Sequence, residues 1–552
     1  MMHKIIFLIL LLGQTSLFAQ QEQVFVHTDK DLYLSGETIW MAAYCFDQKG
    51  QASDLSKVLY LELLDEQALP VVQERISLQA GTAQAQFFVE GNLNSGIYYL
   101  KAYTTAMRNA GPEHFFEAAI RIVHPFRAPA PSVGERSVSS QPNSDQANEN
   151  LVISTDQKTY RSRSEINLNL AALNHRDWAQ LSVSVHKYDP KWPNKPSNIQ
   201  LQQSTPNNLQ ADNTAFEAEI LAPRLEGQVE GATEDVFVLF PGENARIFSV
   251  PLSDDGSFSL LLPPQLQQKD MLFWGRNQTL KSVEIKQGFA KNHQIIHPIA
   301  WEIDSNKLDY ISALSRNAQI NNAYLNFSEV RGKKATKLSD TYFYGDPDWV
   351  YVLDDYTRFP VMEEVFLEIL NYVSRRDRRK DEYLDVNDLY ANENSISSSI
   401  HFEDPALVMI DGIPIEDVNY LWDYDPLKIE RVEIVGRRYI AGEHVFYGVV
   451  NFITYKHNFG GQPFPDYIIE KKYKPLVRPR QFSAPNYLQA SQERIPDFRS
   501  LLHWEAGLTW QTDQDFIRKF YSGDDSGHYR VVINGLTQSG QRLFGSTTFE
   551  VN

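Results

Sequence analysis

Short segments in which apolar and polar residues alternate recur along most of the chain, and turn-forming residues separate one segment from the next. In Gly96–Thr104, Tyr98, Leu100 and Ala102 share one face of an extended strand, because successive side chains of a strand point to opposite faces. Similar segments lie nearby: Val24–Lys30, Thr38–Cys45, Val58–Leu64, Ala85–Val89 and Phe115–Val123. So many short strands in sequence predict a β-sandwich over residues 20–126.

Two further stretches have the same strand-and-turn character. Leu181–Val185 alternates apolar and polar side chains and predicts a half-buried strand, within a second β unit at 151–221 that also contains a long polar loop. Residues 222–300 predict a third β-sandwich. Pro, Ser, Asn and Gln dominate 127–150, a composition too polar to form a core, so this stretch is predicted to be a linker.

Helical spacing of apolar residues first occurs in Asn306–Tyr324, which predicts a helix in a connector at 301–338. Pro360–Val373 gives a stronger pattern, and we expect its apolar stripe to cover a sheet in an α+β domain at 339–457. The stripe consists of Val361, Met362, Val365, Phe366, Ile369, Leu370 and Val373.

The C-terminal residues 458–552 return to strand patterns. Tyr529, Val531 and Ile533 are predicted to share one face of a strand. This region is expected to form a further β-sandwich, or to be a partner to an earlier one.

A motif near the start of the chain resembles the signature of macroglobulin-type sandwich domains. Its residues are Thr28, Asp29, Lys30, Tyr33, Gly36, Glu37 and Ile39. The aspartate is expected to cap a turn, with the tyrosine packed beneath it. Asp156 and Tyr160 repeat the spacing of Asp29 and Tyr33, which indicates a diverged second copy. The thioester segment of macroglobulin protease traps is absent, so the resemblance implies fold and not inhibition.

The third β unit resembles carboxypeptidase-regulatory-like domains. The matching residues are Gly227, Val229, Asp254, Gly256 and Phe258. The Asp-Gly turn would set a hairpin, and the phenylalanine would enter the core.

A third resemblance lies in Asp404–Tyr455, which is similar to the plug domain of TonB-dependent outer-membrane receptors. The residues that carry it are Asp411, Gly412, Pro414, Glu430, Gly448 and Asn451, and they are expected to have structural roles. After Tyr455, 97 residues follow (552 − 455), too few for a large receptor barrel, so we expect a plug fold without its own barrel. The predicted fold class is therefore mainly β: tandem β-sandwich domains, then an α+β plug-like domain and a C-terminal β-rich domain.

The N-terminus predicts export. A basic start, an apolar run at Ile5–Leu12 and the small residue Ala19 indicate a signal peptide at 1–19, and no later segment is apolar enough for a transmembrane helix. Cys45 is the single cysteine, so no internal disulfide forms. It is expected to be a buried side chain, with a bridge to another chain as the alternative.

Charge and motifs exclude several functions. A net charge of −18 makes nucleic-acid binding unfavourable. The basic run Arg375–Lys380 is interpreted as a solvated face, with an anion site as the alternative. No nucleophile elbow, zinc-protease motif or phosphate loop occurs. His114 with Glu117 is a poor metal pair, and the paired aspartates are better explained as turn residues. We therefore predict no catalytic residue, metal or cofactor.

The combined pattern resembles multidomain exported envelope proteins of the Bacteroidetes group. It predicts a non-catalytic binding or scaffold protein in the periplasm or at the outer membrane. Its expected partner is an outer-membrane barrel or another envelope protein. The first alternative is an accessory ligand-binding component of a TonB-dependent uptake system. The second is an enzyme whose site is assembled from scattered residues.

Overall fold

The structure of the protein, a computed structural model, is mainly β. The chain forms two compact units. Unit 1 contains the described residues up to Pro223, between Phe289 and Thr336, and from Leu476 to Asn552, and unit 2 contains Arg224–Gly288 and Lys337–Pro475. The described residues are 22–125, 150–191, 196–201, 216–242, 245–286, 288–299, 305–324, 343–378, 381–389, 402, 404–488 and 495–552. The predicted signal peptide and nearly all of the predicted linker lie outside them.

The first sandwich of unit 1 has eight strands in two sheets, ordered β1-β3-β6 and β2-β8-β7-β4-β5. The strands are β1 (Gln23–Thr28), β2 (Leu32–Leu34), β3 (Thr38–Phe46), β4 (Val58–Leu64), β5 (Pro70–Ser77), β6 (Thr82–Phe88), β7 (Gly96–Tyr103) and β8 (Phe116–Val123). Apolar side chains from both sheets meet in one core, as the alternating pattern predicted. Cys45 is fully buried in this core and unpaired, which confirms the predicted small core side chain.

The second sandwich of unit 1 also has eight strands, in sheets ordered β9-β11-β28 and β10-β30-β29-β12-β27. Its first four strands are β9 (Ile153–Thr155), β10 (Thr159–Tyr160), β11 (Glu165–Leu170) and β12 (Trp178–Lys187). The other four are β27 (Leu501–Gln511), β28 (Phe516–Tyr521), β29 (Gly527–Thr537) and β30 (Arg542–Val551). Tyr529, Val531 and Ile533 are all buried in its core, as predicted.

The strand orders of the two sandwiches are identical when β9–β12 and β27–β30 are matched to β1–β8. Even the parallel pairing of β2 with β8 recurs as that of β10 with β30. The C-terminal segment is therefore not a separate sandwich, because β12 pairs with both β27 and β29. In the first sandwich β4 and β5 form a hairpin. In the second, all residues between Lys187 and Leu501 are inserted at that hairpin position.

The shared Asp-Tyr motif makes the same hydrogen bonds in both sandwiches. The Tyr33 hydroxyl donates to Asp29 Oδ1 (2.7 Å), which also accepts from the backbone N–H of Trp40 (2.8 Å). In the second copy, Tyr160 donates to Asp156 Oδ1 (2.6 Å), which also accepts from the backbone N–H of Asn167 (2.9 Å).

The first copy of the motif has an addition that the second lacks. Lys30 pairs with Glu37 (2.7 Å) and also donates to Ser500 Oγ (3.0 Å), where the chain re-enters the second sandwich. Gln157 stands at the position of Lys30, which explains part of the divergence seen in sequence.

A helix and a preceding extended segment complete unit 1. Helix α1 (Ser305–Tyr324) confirms the predicted helix, with Ile311 buried against Leu32 and Leu34, although Leu308 is exposed. Residues 289–299 lie along the first sandwich, where Tyr103, Glu117 and Tyr99 accept backbone N–H groups of this segment.

Unit 2 begins with a sandwich whose sheets are ordered β16-β13-β18 and β15-β14-β17-β26. The strands are β13 (Arg224–Glu230), β14 (Val236–Phe240), β15 (Arg246–Val250), β16 (Ser257–Leu261), β17 (Asp270–Trp274) and β18 (Ser282–Lys286), with β26 (Ile468–Lys472) from later in the chain. Phe258 is buried, and Gly256 has φ +78° in the turn before it, as the motif predicted. The predicted start of a C-terminal domain at residue 458 is wrong, because β26 lies after that residue and pairs with β17 of this sandwich.

The α+β part of unit 2 contains a mixed sheet ordered β19-β24-β25-β22-β23. The strands are β19 (Trp349–Val352), β22 (Leu407–Ile410), β23 (Ile413–Pro414), β24 (Ile429–Ala441) and β25 (His444–Thr454), and a separate hairpin joins β20 (Val373–Arg378) to β21 (Asp381–Val386). Helices α2 (Met362–Glu368) and α3 (Asn419–Trp422) accompany them.

Helix α2 is shorter than the predicted Pro360–Val373. Met362 and Val365 are buried in the common core, as the stripe predicted, but Val361 precedes the helix and is 43% exposed. Val373 already begins β20, so Arg375 and Arg376 of the basic run lie on a strand.

Candidate functional site

Three residues of the plug-like motif, Asp411, Gly412 and Asn451, take part in a buried polar network at the turn after β22. Asp411 has φ +51° and is 1% exposed. Its Oδ1 accepts from the backbone N–H of Thr454 (2.8 Å), and its Oδ2 accepts from the Thr454 hydroxyl (2.6 Å) and the N–H of Phe459 (2.8 Å). Burial raises the pKa of Asp411, although these donors oppose the shift. The carboxylate therefore ties the β22 turn to the end of β25.

A second chain of hydrogen bonds continues from the same turn. Asn451 Oδ1 accepts from the N–H of Gly412 (3.1 Å), and its Nδ2 donates to the Tyr344 hydroxyl (3.1 Å). Tyr344 in turn donates to Glu433, which also accepts from Arg431 Nε (2.8 Å). The predicted Asp411, Gly412 and Asn451 are thus brought together.

Glu430, which the motif also contains, lies outside this network. It is only partly buried and pairs with Arg431 (3.0 Å). Sequence reasoning missed Glu433, Tyr344 and Thr454. No local sequence signal distinguishes the two glutamates, because only the register of β24 with β25 places Glu433, and not Glu430, opposite Asn451.

The remaining motif residues make close backbone approaches. Gly412 has φ +79°, and a Cβ placed there would lie 2.3 Å from Ala245 Cβ. Gly448 has φ +95°, and a Cβ would lie 2.9 Å from Val386 Cβ. Pro414 is buried in β23, and its carbonyl accepts from the Tyr467 hydroxyl (3.1 Å). These positions hold the layers of unit 2 together and expose no reactive group.

We expect Gly412→Ala to destabilise unit 2 by about 2–4 kcal/mol, through left-handed strain and a steric clash. Gly461→Ala is the matched control, because Gly461 has φ +73° and a Cβ placed there would have no neighbouring atom within 4 Å. It should cost about 1 kcal/mol through strain alone. Urea unfolding of the full chain measures both, and equal losses would contradict the close contact with Ala245.

Buried polar groups also lie where the two sandwiches of unit 1 meet. His27 Nδ1 lies 2.7 Å from Ser182 Oγ, which also accepts from the Tyr44 hydroxyl (2.8 Å). His186 Nδ1 lies 2.9 Å from Ser184 Oγ. Burial lowers the pKa of both His27 and His186 to about 3, so both rings are neutral in the folded protein at neutral pH.

This junction predicts acid sensitivity. Because the folded-state pKa of each histidine lies below its unfolded value, the stability they contribute is present above pH about 6.5 and is lost as pH falls towards 3. Lys30 and Arg530 face His186 and reinforce the effect, while burial raises the pKa of neighbouring Asp29 to about 7, which has the opposite pH dependence.

His27→Gln isolates the histidine effect, since Asp29 is common to both proteins. Melting temperatures measured from pH 7 to 4 should fall less steeply for His27→Gln than for wild type, by the equivalent of about 3 kcal/mol at the acid end. Identical profiles for wild type and His27→Gln would contradict the buried neutral histidine.

The other candidate groups have structural partners. Glu117 pairs with buried Lys101 (2.7 Å). In the basic run, Arg375 pairs with Glu382 and Arg376 with Asp385. No cluster of His, Cys, Asp and Glu suited to a metal ion occurs among the described residues.

A cleft in unit 1 lies beside the point where the chain leaves and re-enters the second sandwich. Lys30, Tyr310 and Arg530 are among its lining residues. The Tyr310 hydroxyl donates to the Lys187 carbonyl (3.3 Å), and Arg530 lies 4.2 Å from the Tyr188 ring centroid. These contacts hold Lys187 and Tyr188, where the chain leaves the second sandwich.

No helix in the described part of the chain combines the length and apolar composition needed to cross a bilayer.

Comparison with known proteins gives distant structural matches. No family model and no curated protein matches the chain. Alpha-2-macroglobulin of Salmonella, reacted with methylamine, is 9% identical with a TM-score of 0.24, over 96% of this chain and 39% of that one. Escherichia coli alpha-2-macroglobulin activated by porcine elastase is 10% identical with a TM-score of 0.25, over 96% and 43%. The E. coli adhesin FdeC is 13% identical with a TM-score of 0.15, over 46% and 58%.

The chain spans about two fifths of the length of the macroglobulins it matches. Because these TM-scores are below 0.5, the matches carry no argument about activity. The tandem sandwiches are established by the strand pairing of this chain itself.

Proposed function

We propose that this chain is a non-catalytic scaffold protein of the bacterial cell envelope, which docks to an outer-membrane partner through its plug-like α+β part. The observation that carries the proposal is the place of unit 2 in the chain. The whole of unit 2 is inserted where the second sandwich would otherwise have a simple hairpin between its fourth and fifth strands. Connections between the strands of a rigid sandwich are where binding residues concentrate, so an insertion at this point suits a recognition module.

The chemistry of the plug-like motif supports a binding role over catalysis. The carboxylate of Asp411 and the amide of Asn451 are both engaged in internal hydrogen bonds. The motif therefore stabilises a binding surface. Export through the predicted signal peptide is part of the same proposal, and mass spectrometry of the mature protein should find Gln20 or Gln21 as its first residue.

The test is affinity purification of the tagged full chain from solubilised native envelope, followed by mass spectrometry. Recovery of one outer-membrane barrel protein in near-equal amount would support the proposal. Recovery of the chain alone, under conditions that preserve other envelope complexes, would contradict it. An untagged strain and a strain with a tagged, unrelated exported protein are the controls.

A further inference from the structure

The edge of the plug-like sheet carries apolar residues in an exposed position. Strand β19 is the last strand in the order β19-β24-β25-β22-β23, so only one of its sides is paired within the described part of this sheet. Val350 is 50% exposed and Val352 is 37% exposed, whereas Tyr351 between them is buried. Edge strands are normally protected by charged residues within the strand, because unpaired backbone groups invite another strand.

The apolar surface continues beyond the end of β19. Tyr455 is 47% exposed, and its hydroxyl donates to the Asp354 carboxylate (2.7 Å) just after the strand. The N–H of Tyr455 also donates to the carbonyl of Lys428, next to Leu427, which is 51% exposed. A partner strand on the edge would therefore meet apolar side chains along its length and at one end.

Acidic residues bracket the strand on both sides. Asp346 and Asp348 precede it, and Asp354 and Asp355 follow it. Two of these carboxylates have a cationic partner: Arg437 lies 3.6 Å from Asp348, and Arg358 lies 3.3 Å from Asp354. These four carboxylates and two guanidiniums together carry a net charge of −2 (2 − 4).

The acidic residues at both ends of β19 favour one kind of partner strand over another. Antiparallel pairing of β19 with a second copy of itself would bring the acidic residues before the strand in one copy towards those after it in the other. Like charges brought together at an interface are destabilising. A strand from a different protein, with basic residues on both sides of an apolar centre, would instead pair with the acidic residues before and after β19.

We propose that the outer edge of β19 accepts an extended segment of a partner protein as an additional strand. The segment has apolar residues at alternate positions and Lys or Arg on both sides of them. Main-chain hydrogen bonds to the edge provide affinity, and contacts with Val350 and Val352 provide selectivity. This inference rests on the proposed docking function and names the surface that performs it.

A defined peptide tests the proposal directly. The probe is a fluorescent synthetic peptide with a Val-Thr-Val-Thr-Val core between pairs of lysines, titrated with the full chain at low salt. We expect binding that weakens by about tenfold or more when glutamates replace the lysines, or when alternate core amides are N-methylated. No binding, or equal binding of the lysine and glutamate peptides, would overturn the proposal.

The matched protein variants are Val350→Lys/Val352→Lys, on the edge, and Leu367→Lys, at a position in α2 that is 81% exposed. The edge variant should lose about tenfold or more in peptide affinity, and the control should bind like wild type. Circular dichroism melting shows whether both remain folded. Equal affinity of the edge variant and wild type would overturn the assignment, as would a wild-type dimer that the edge variant dissociates.

The same variants separate this inference from the proposed function. If the wild-type chain recovers its barrel partner from native envelope and the edge variant recovers it equally well, the β19 edge is not the docking surface, although the proposed function holds. If wild type recovers no partner, the proposed function itself fails.

Discussion

Replacing Asp411 with alanine should destabilise unit 2 by about 4 kcal/mol, the largest effect we expect from a single substitution in this unit. The change leaves the backbone N–H groups of Thr454 and Phe459 and the hydroxyl of Thr454 without their acceptor. It also places alanine at φ +51°, a conformation that asparagine and aspartate tolerate better.

Urea unfolding of the full chain, read with hydrogen exchange of the peptides that cover β22 and β25, measures this loss. Asp411→Asn keeps one acceptor oxygen and should lose about half as much. Asp417→Ala is the control, since Asp417 is exposed and caps only a local turn at Asn419. A loss from Asp411→Ala no greater than that from Asp417→Ala would show that the network does not hold the sheet.

Asp29→Ala should destabilise the first sandwich by about 3–4 kcal/mol, because it leaves the backbone N–H of Trp40 without an acceptor and removes the carboxylate partner of the buried Tyr33 hydroxyl. The second sandwich supplies a natural control. Asp156 accepts the equivalent two hydrogen bonds but is exposed, so water replaces the carboxylate and Asp156→Ala should cost about 1 kcal/mol.

Asp29→Asn distinguishes the hydrogen bonds from the charge. Burial raises the pKa of Asp29 to about 7, so the neutral amide should retain most of the stability at neutral pH. Differential scanning calorimetry of wild type and the three variants gives the comparison. Equal losses for Asp29→Ala and Asp156→Ala would contradict the role of burial in separating the two copies.

Local patterns predicted the strands and turns well, because side-chain alternation and turn chemistry act within a few residues. The repeated spacing of Asp29 with Tyr33 and of Asp156 with Tyr160 correctly indicated two copies of one turn. Asp411 and Gly412, which the sequence motif contains, both have left-handed backbone, a conformation that favours aspartate and glycine over most residue types.

The pairing of β12 with β27 was not predicted from sequence. The alternation of apolar and polar residues in Leu181–Val185 indicates that this strand has a buried face, but it does not identify the strand that pairs with it. Loop-closure entropy rises slowly with loop length, so a hairpin connection tolerates a whole inserted unit. The motif contained Glu430 and not Glu433, because only the register of β24 with β25 decides which glutamate is buried.

The C-terminal strands complete a sandwich that begins before the insertion, and one cross-strand pair makes this testable. Gln180 on β12 lies opposite Thr509 on β27, and their side chains are joined by a 3.1 Å hydrogen bond across 329 residues of sequence. Cysteines at directly opposed cross-strand positions are close enough to form a disulfide. Cys45 is fully buried and does not compete.

The most direct measurement is therefore mild oxidation of Gln180→Cys/Thr509→Cys in the full chain, with mass spectrometry of the linked peptides. The control is Gln180→Cys/Ile517→Cys, because β28 belongs to the other sheet. We predict an efficient cross-link between positions 180 and 509 and none in the control. Failure of the first pair to link, or equal linking of both pairs, would contradict a second sandwich completed across the insertion.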